Sequence, residues 1–117
     1  MKENILKAKS LLFAIRIVNL YKYLVGEHKE YVLSKQVLRS GTSVGAMVHE
    51  AEFGQSLADF ISKLSIAQKE INETMYWLVL LKETKYLSTE MFESLNMDAV
   101  ELIKLITSSI KTAKSRR

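Results

Sequence analysis

His49 and Glu52 stand three residues apart, the separation at which two side chains share one face of a helix. Such a pair is the raw material of a metal site. A zincin helix, however, needs His-Glu-x-x-His, and position 53 is Phe53. A di-iron bundle needs two Glu-x-x-His pairs and two further glutamates. Here the order is reversed, and the other histidine, His28, falls in a polar loop expected at the opposite end. Glu70 and Glu73 repeat the spacing and place two carboxylates on one face. With one usable histidine, these acids read better as ion-pair partners of Arg39 or Lys69. No metal-ligand set is expected.

Arg39-Ser40-Gly41-Thr42-Ser43-Val44-Gly45-Ala46 has the glycines and hydroxyls of a phosphate loop. It lacks the Gly-Lys-Ser/Thr ending, and no strand precedes it. The same residues suit a helix that another helix approaches closely, where only small side chains fit. Serines are frequent, but no Ser-His-Asp set can be assembled, because a helical bundle offers neither a nucleophile elbow nor an oxyanion hole. No catalytic residue, no cofactor and no small-molecule substrate is expected. Tyr76-Trp77 sits in an apolar helical run and fits core or subunit-interface packing better than a partner-binding aromatic patch.

Charge is segregated along the chain. Residues 1–48 hold eight Lys and Arg against three acids, residues 49–103 four Lys against ten acids, and residues 104–117 five bases and no acid. Either the basic parts meet an anionic partner, or basic and acidic segments lie side by side in the fold or in an oligomer. The best functional candidates are Lys2, Lys7 and Lys9 near the start, with Lys111, Lys114, Arg116 and Arg117 at the end. Arg16, Lys22 and Arg39 are weaker candidates. In an antiparallel bundle the last helix ends beside the start of the first, so these seven residues would form one basic end able to contact phosphates. The alternative is a solvated tail that balances Glu50, Glu52 and Asp59 at the same end.

Four helices must position these residues. Leu6, Phe13, Ile17, Leu20 and Leu24 form one stripe of a helix over residues 3–25. Ile5, Ala8, Leu12 and Ile15 form a second stripe beside it, and Gly26 is expected to close the helix. Two stripes are more than one bundle core needs, which predicts a homo-oligomer. Ser34 is expected to cap a second helix, in which Val37, Gly41, Val44, Val48 and Ala51 recur before Gly54-Gln55 ends it. Ser56-Leu57-Ala58-Asp59 opens the third with a capping serine and an acid at N3. Leu57, Phe60, Leu64, Ala67, Ile71, Met75 (or Thr74), Leu78 and Leu81 follow at heptad-like spacing. The fourth starts near Ser88, with Glu90 and Glu93 in its first turn and Lys111 and Lys114 in its last, as the helix dipole prefers. Its stripe is Phe92, Leu95, Ala99, Leu102, Ile106, Ile110 and Ala113. Short loops make sequential neighbours antiparallel. The expected architecture is an all-α, up-down-up-down four-helix bundle, one domain over residues 1–117.

Composition agrees with that reading. Of 117 residues, 48% are apolar and 26% charged, with no proline and no cysteine, an ordinary globular balance for one domain of long helices. Without cysteine there is no disulfide framework and no thiolate site. Charge interrupts the apolar residues at the start, unlike a signal peptide, and no uncharged apolar run reaches the length of a membrane span. A cytoplasmic protein with no membrane partner is expected.

The runs Gln36-Val37-Leu38-Arg39-Ser40-Gly41-Thr42-Ser43-Val44-Gly45-Ala46, Glu50-Ala51-Glu52 and Ala58-Asp59-Phe60-Ile61-Ser62-Lys63-Leu64-Ser65-Ile66-Ala67 carry a family resemblance. It continues through Lys69-Glu70-Ile71-Asn72-Glu73-Thr74, Tyr76-Trp77-Leu78 and Glu101-Leu102-Ile103-Lys104-Leu105-Ile106. Together these resemble the bacterial four helix bundle protein family, whose members are also encoded in intervening sequences of large-subunit (23S) ribosomal RNA genes. The likeness covers nearly the whole chain and departs at Met47-Val48-His49, where an Asn-Ile-Ala-like stretch is common. It implies a bundle assembling into a homopentameric ring. It also implies a fold similar to the accessory variability protein of diversity-generating retroelements, a basic pentamer that binds nucleic acid and a reverse transcriptase. No catalytic residue transfers. The function expected is a self-assembling, non-enzymatic scaffold contacting RNA, DNA or a nucleic-acid enzyme through basic surfaces. The rival is a protein–protein adaptor whose charge asymmetry serves assembly alone.

Overall fold

A computed structural model of the chain describes residues 2–116, with side chains from Ile5 onward. Four helices follow one another: α1 (Lys2–His28), α2 (Leu33–Glu52), α3 (Leu57–Glu83) and α4 (Thr89–Lys114). α1 packs on α2 and α4, and α3 packs on the same two from the other side. The order around the bundle is therefore the order of the chain, up-down-up-down. The rod is 47 × 21 × 19 Å, a length set by helices of up to 27 residues rising about 1.5 Å per residue. Among the described residues, no helix is long and apolar enough to cross a membrane.

The first stripe of α1 and the stripes of α2, α3 and α4 supply the buried core, while the second stripe of α1 is exposed. Phe13, Ile17 and Leu24 of α1 meet Val37 and Val44 of α2, Leu64, Ile71 and Leu78 of α3, and Leu102 and Ile106 of α4 in one core. Leu57, Phe60 and Phe92 pack only half-buried at its edge. Thr74 is the residue that continues the α3 stripe, fully buried, with Met75 turned partly outward. Its hydroxyl lies 2.8 Å from the Glu70 carbonyl and 2.9 Å from the Ser40 hydroxyl of α2. It donates to the first and accepts from the second, so neither buried hydroxyl is left unpaired.

The glycine run is a packing surface inside α2. A Cβ on Gly41 would lie 2.7 and 2.8 Å from two carbons of Ile17, and one on Gly45 would lie 3.2 Å from the Ser10 carbonyl oxygen. The absence of a side chain is what lets α1 approach. Because the run is helical throughout, its N–H groups are not arranged as a phosphate cradle.

Two helix starts follow the sequence reading and one departs from it. Ser56 and Ser88 accept the N–H groups of Asp59 and Met91 at 3.0 and 3.1 Å, each cap contributing about 1 kcal/mol. The Asp59 carboxylate turns to the Gln55 N–H at 3.4 Å. Between α1 and α2, however, α1 runs through Gly26 and includes Glu27 and His28. The left-handed residue is Lys29, φ 54°, at a cost of about 1 kcal/mol for a side chain with a Cβ. Nor does Ser34 cap α2: Val32 holds that position without a side-chain bond.

Glu30 does the capping instead. Its carboxylate accepts the N–H groups of Ser34 at 2.7 Å, Leu33 at 3.0 Å and Val32 at 3.2 Å, while the buried Ser34 hydroxyl donates to the Glu30 carbonyl at 2.8 Å. Closing α1 at Lys29 sets Glu30 over these open donors, and the bonds outweigh the strain. Burial would raise the Glu30 carboxyl, but the bonds from Leu33, Ser34 and Val32, with the Ser34 side chain, hold it below its ordinary value. A carboxyl lowered by folding stabilises the protein above its unfolded value of about 4.3, and that contribution is lost as pH falls through the lower folded value. Glu30→Gln should therefore destabilise by about 1–3 kcal/mol at neutral pH. In urea titrations the gap to wild type should close below about pH 4. A gap that is the same at every pH would show that the charge of Glu30 contributes nothing.

Candidate nucleic-acid interface

The side-chain bonds of α1 and α4 record their antiparallel register. Arg16 pairs with Asp98 at 2.7 Å and Lys9 with Glu101 at 3.2 Å. Residues before Lys9 thus lie alongside residues after Glu101, and α4 ends at the start of α1. Of the seven residues expected to form a basic end, this register places Lys7, Lys9, Lys111, Lys114 and Arg116 towards the same end of the bundle. Lys111, Lys114 and Arg116 are exposed there and make no ion pair among the described residues. The Lys2 side chain and Arg117, also candidates, lie outside what the structure describes.

Lys7 and Lys9 are tethered. Lys7 sits 2.7 Å from Glu52, and Lys9 bonds Glu101. Both pairs are solvent-exposed and worth about 0–1 kcal/mol, so a phosphate can compete for either lysine. Two of the acids expected to balance the tail pair with other lysines, Glu52 with Lys7 and Glu50 with Lys63 at 3.5 Å, and the Asp59 carboxylate accepts the Gln55 N–H at 3.4 Å. Among the described residues no carboxylate forms an ion pair with Lys111, Lys114 or Arg116 in the last turn of α4 or just beyond it.

Arg16 and Arg39 are committed to interhelical bonds. Arg16 reaches the Ser94 carbonyl and hydroxyl as well as Asp98. Arg39 of α2 forks onto Glu70 at 3.1 and 3.2 Å and onto Glu73 at 2.6 Å, both on α3. These bonds, to Glu70 and then Glu73, hold its guanidinium above its ordinary value. Trp77 Nε1 donates to the same Glu73 at 3.0 Å; with Arg39 it keeps that carboxyl below its ordinary value, against the opposing effect of burial. The Glu70/Glu73 pair is thus the α2–α3 ion-pair cluster that its spacing suggested. Lys22 is exposed without an ion pair among the described residues.

His49 is exposed, its ring edge-on to Phe53 at 5.2 Å. Among the described residues, no three of His, Asp and Glu converge as a metal ion would require. His28 is the last residue of α1 rather than part of a loop, and contacts the rings of Tyr23 and Tyr86.

A second surface lies on the outer side of α1. Leu11 and Leu12 are each 61% exposed, Ile15 49% and Ile5 46%. Beside them Ala14, Thr42, Gly45 and Ala46 leave a groove of about 330 Å³ between α1 and α2. The inner stripe of α1 fills the core and the second stripe of the sequence faces outward. Tyr76 is likewise exposed, whereas Trp77 packs half-buried against the core.

An all-α bundle of four antiparallel helices, with one basic end and one apolar outer helix face, defines the structural class. The chain belongs to the 23S rRNA-intervening sequence protein family, whose model matches residues 2–108. The bases from Lys111 onward lie beyond the matched segment. The chain is also similar to a protein with unknown function from the S23 ribosomal protein family of Bacteroides thetaiotaomicron VPI-5482. The two are 62% identical with a TM-score of 0.94, over 95% of this chain and 99% of that one. No curated protein matches the chain.

Proposed function

We propose that this chain is a non-enzymatic scaffold that assembles into a homo-oligomer, pentameric as the family resemblance implies, and contacts nucleic acid or a nucleic-acid enzyme through its basic ends. The outer face of α1 carries the reading. Beside its buried stripe α1 carries exposed Ile5, Leu11, Leu12 and Ile15, and monomeric proteins rarely leave a contiguous apolar patch of this kind in water. Further copies of the chain would cover it. The groups best suited to chemistry serve structure instead: Arg39, Glu70 and Glu73 clamp α2 to α3, and Glu52 pairs with Lys7.

Phosphate contact falls to Lys111, Lys114, Arg116 and Arg117, with Lys2, Lys7 and Lys9 beside them. Lysines at helix ends, without interleaved aromatics, bind electrostatically and with little sequence preference. A ring would present several such ends to one strand. The family name makes a 23S rRNA fragment the first probe, with duplex DNA as comparison. Replacing Lys111, Lys114, Arg116 and Arg117 together by alanine should weaken binding to every sequence. It should also flatten the plot of log affinity against log salt by about 3 units, from roughly 0.7–0.9 per phosphate contact. Unchanged affinity and slope would move the site elsewhere. The carboxylate partners already held by Lys7 and Lys9 favour the rival reading, a protein adaptor; no RNA or DNA binding by the intact protein at low salt would put it first.

A further inference from the structure

We propose that a cavity at the basic end of the bundle binds a small neutral aromatic compound carrying one hydroxyl or N–H group. The cavity holds about 130 Å³ and is walled by all four helices: Leu6 of α1, Val48 and Ala51 of α2, Phe60 and Leu64 of α3, and Ser109 of α4. Protein interiors contain few voids larger than a water molecule. An apolar cavity of about 150 Å³ takes up benzene, so this one, open to solvent on the side of Lys7 and Glu52, has the size of a single aromatic ring.

Ser109 supplies the polar feature. It is only 8% exposed, and it lines the cavity. Thr42, Ser43, Ser65 and Thr84 each bond a carbonyl of their own helix. The Ser109 hydroxyl makes no side-chain hydrogen bond among the described residues. A hydroxyl offers one donor and two acceptor positions. Among the described residues no buried side-chain oxygen is without a partner, so the Ser109 oxygen opens into the cavity, where water fills those positions until a ligand displaces it. A phenolic hydroxyl or ring N–H entering the cavity would pair with it. One placed polar group in an apolar pocket is how small-molecule sites fix orientation. At the rim, Lys7 and Glu52 cancel each other's charge at 2.7 Å, which selects a neutral ligand over an ion.

Phenol, with toluene as the isostere lacking a donor, tests the site by methyl NMR of the full chain. Phenol should give saturable shifts at the Leu6, Val48 and Leu64 methyls. Ser109→Ala should weaken phenol about five- to tenfold, the equivalent of one hydrogen bond, and leave toluene unchanged. The wild-type titration alone decides occupancy: no saturable shift at these methyls with either compound overturns the site. Phenol affinity unaffected by Ser109→Ala overturns the assignment of Ser109 as the polar anchor.

Discussion

Gly41→Leu should destabilise the fold by about 1–3 kcal/mol or more, the range for forcing extra carbons into a filled core. A Cβ alone would sit 2.7 Å from Ile17 Cγ1 and 2.8 Å from its Cγ2, and leucine adds three further carbons. Ile17 cannot swing aside. It is fully buried, and branching at Cβ leaves it one strongly preferred rotamer in a helix. Relief has to come from moving α1 away from α2, which opens the core around Val37 and Val44. Gly41→Ala should be milder, since its gain of about 1 kcal/mol in helix propensity works against the same clash. Gly26 is the control. It is exposed within α1 with nothing near its missing Cβ, so Gly26→Ala should stabilise by up to about 1 kcal/mol. Urea denaturation of the three variants checks all of this. A Gly41→Leu protein as stable as wild type would contradict the α1–α2 contact at Ile17.

If the chain assembles through the outer face of α1 as proposed, the double substitution Leu12→Glu with Ile15→Glu should yield single chains with their helices intact. Both side chains are already in water in the isolated bundle, at 61% and 49% exposure, so charging them costs the monomer little. In an assembly that buries this face, two carboxylates per chain would be desolvated without partners, at several kcal/mol each. The whole interface is then lost rather than weakened. Light scattering reads the mass and circular dichroism the helicity. A double variant that keeps both the wild-type mass and the wild-type helicity would show that assembly uses another face.

The core was legible because its signal is local. The spacing of Phe13, Ile17, Leu20 and Leu24, or of Leu102, Ile106 and Ile110, repeats with the helix itself. A glycine pair at positions 41 and 45 reads as a close crossing once the helix is assumed. Ser56 and Ser88 cap because each immediately precedes its helix. Glu30 was not legible as a cap: its carboxylate acts on N–H groups up to four residues ahead, and this needs Lys29, not Gly26, to take the left-handed turn. The basic end followed from topology, but the pairing of Lys7 with Glu52 and Lys9 with Glu101 depends on axial register between helices, which no single-helix pattern encodes. That register also bears on the tail, because it pairs Glu52, one of the acids expected to balance it, with Lys7. The cavity at Ser109 is further still from the sequence, since it exists only where four helix surfaces fail to fill the space between them.

Light scattering of the purified wild-type chain at micromolar concentration, with the 260/280 absorbance ratio recorded on the same peak, tests most directly whether the outer face of α1 is an interface. The expected result is one species with the mass of several chains, five times 13.4 kDa for the pentamer. A ratio raised by bound RNA would add support for the basic ends. A monodisperse species of 13.4 kDa would contradict self-assembly and leave the apolar face of α1 without a covering copy.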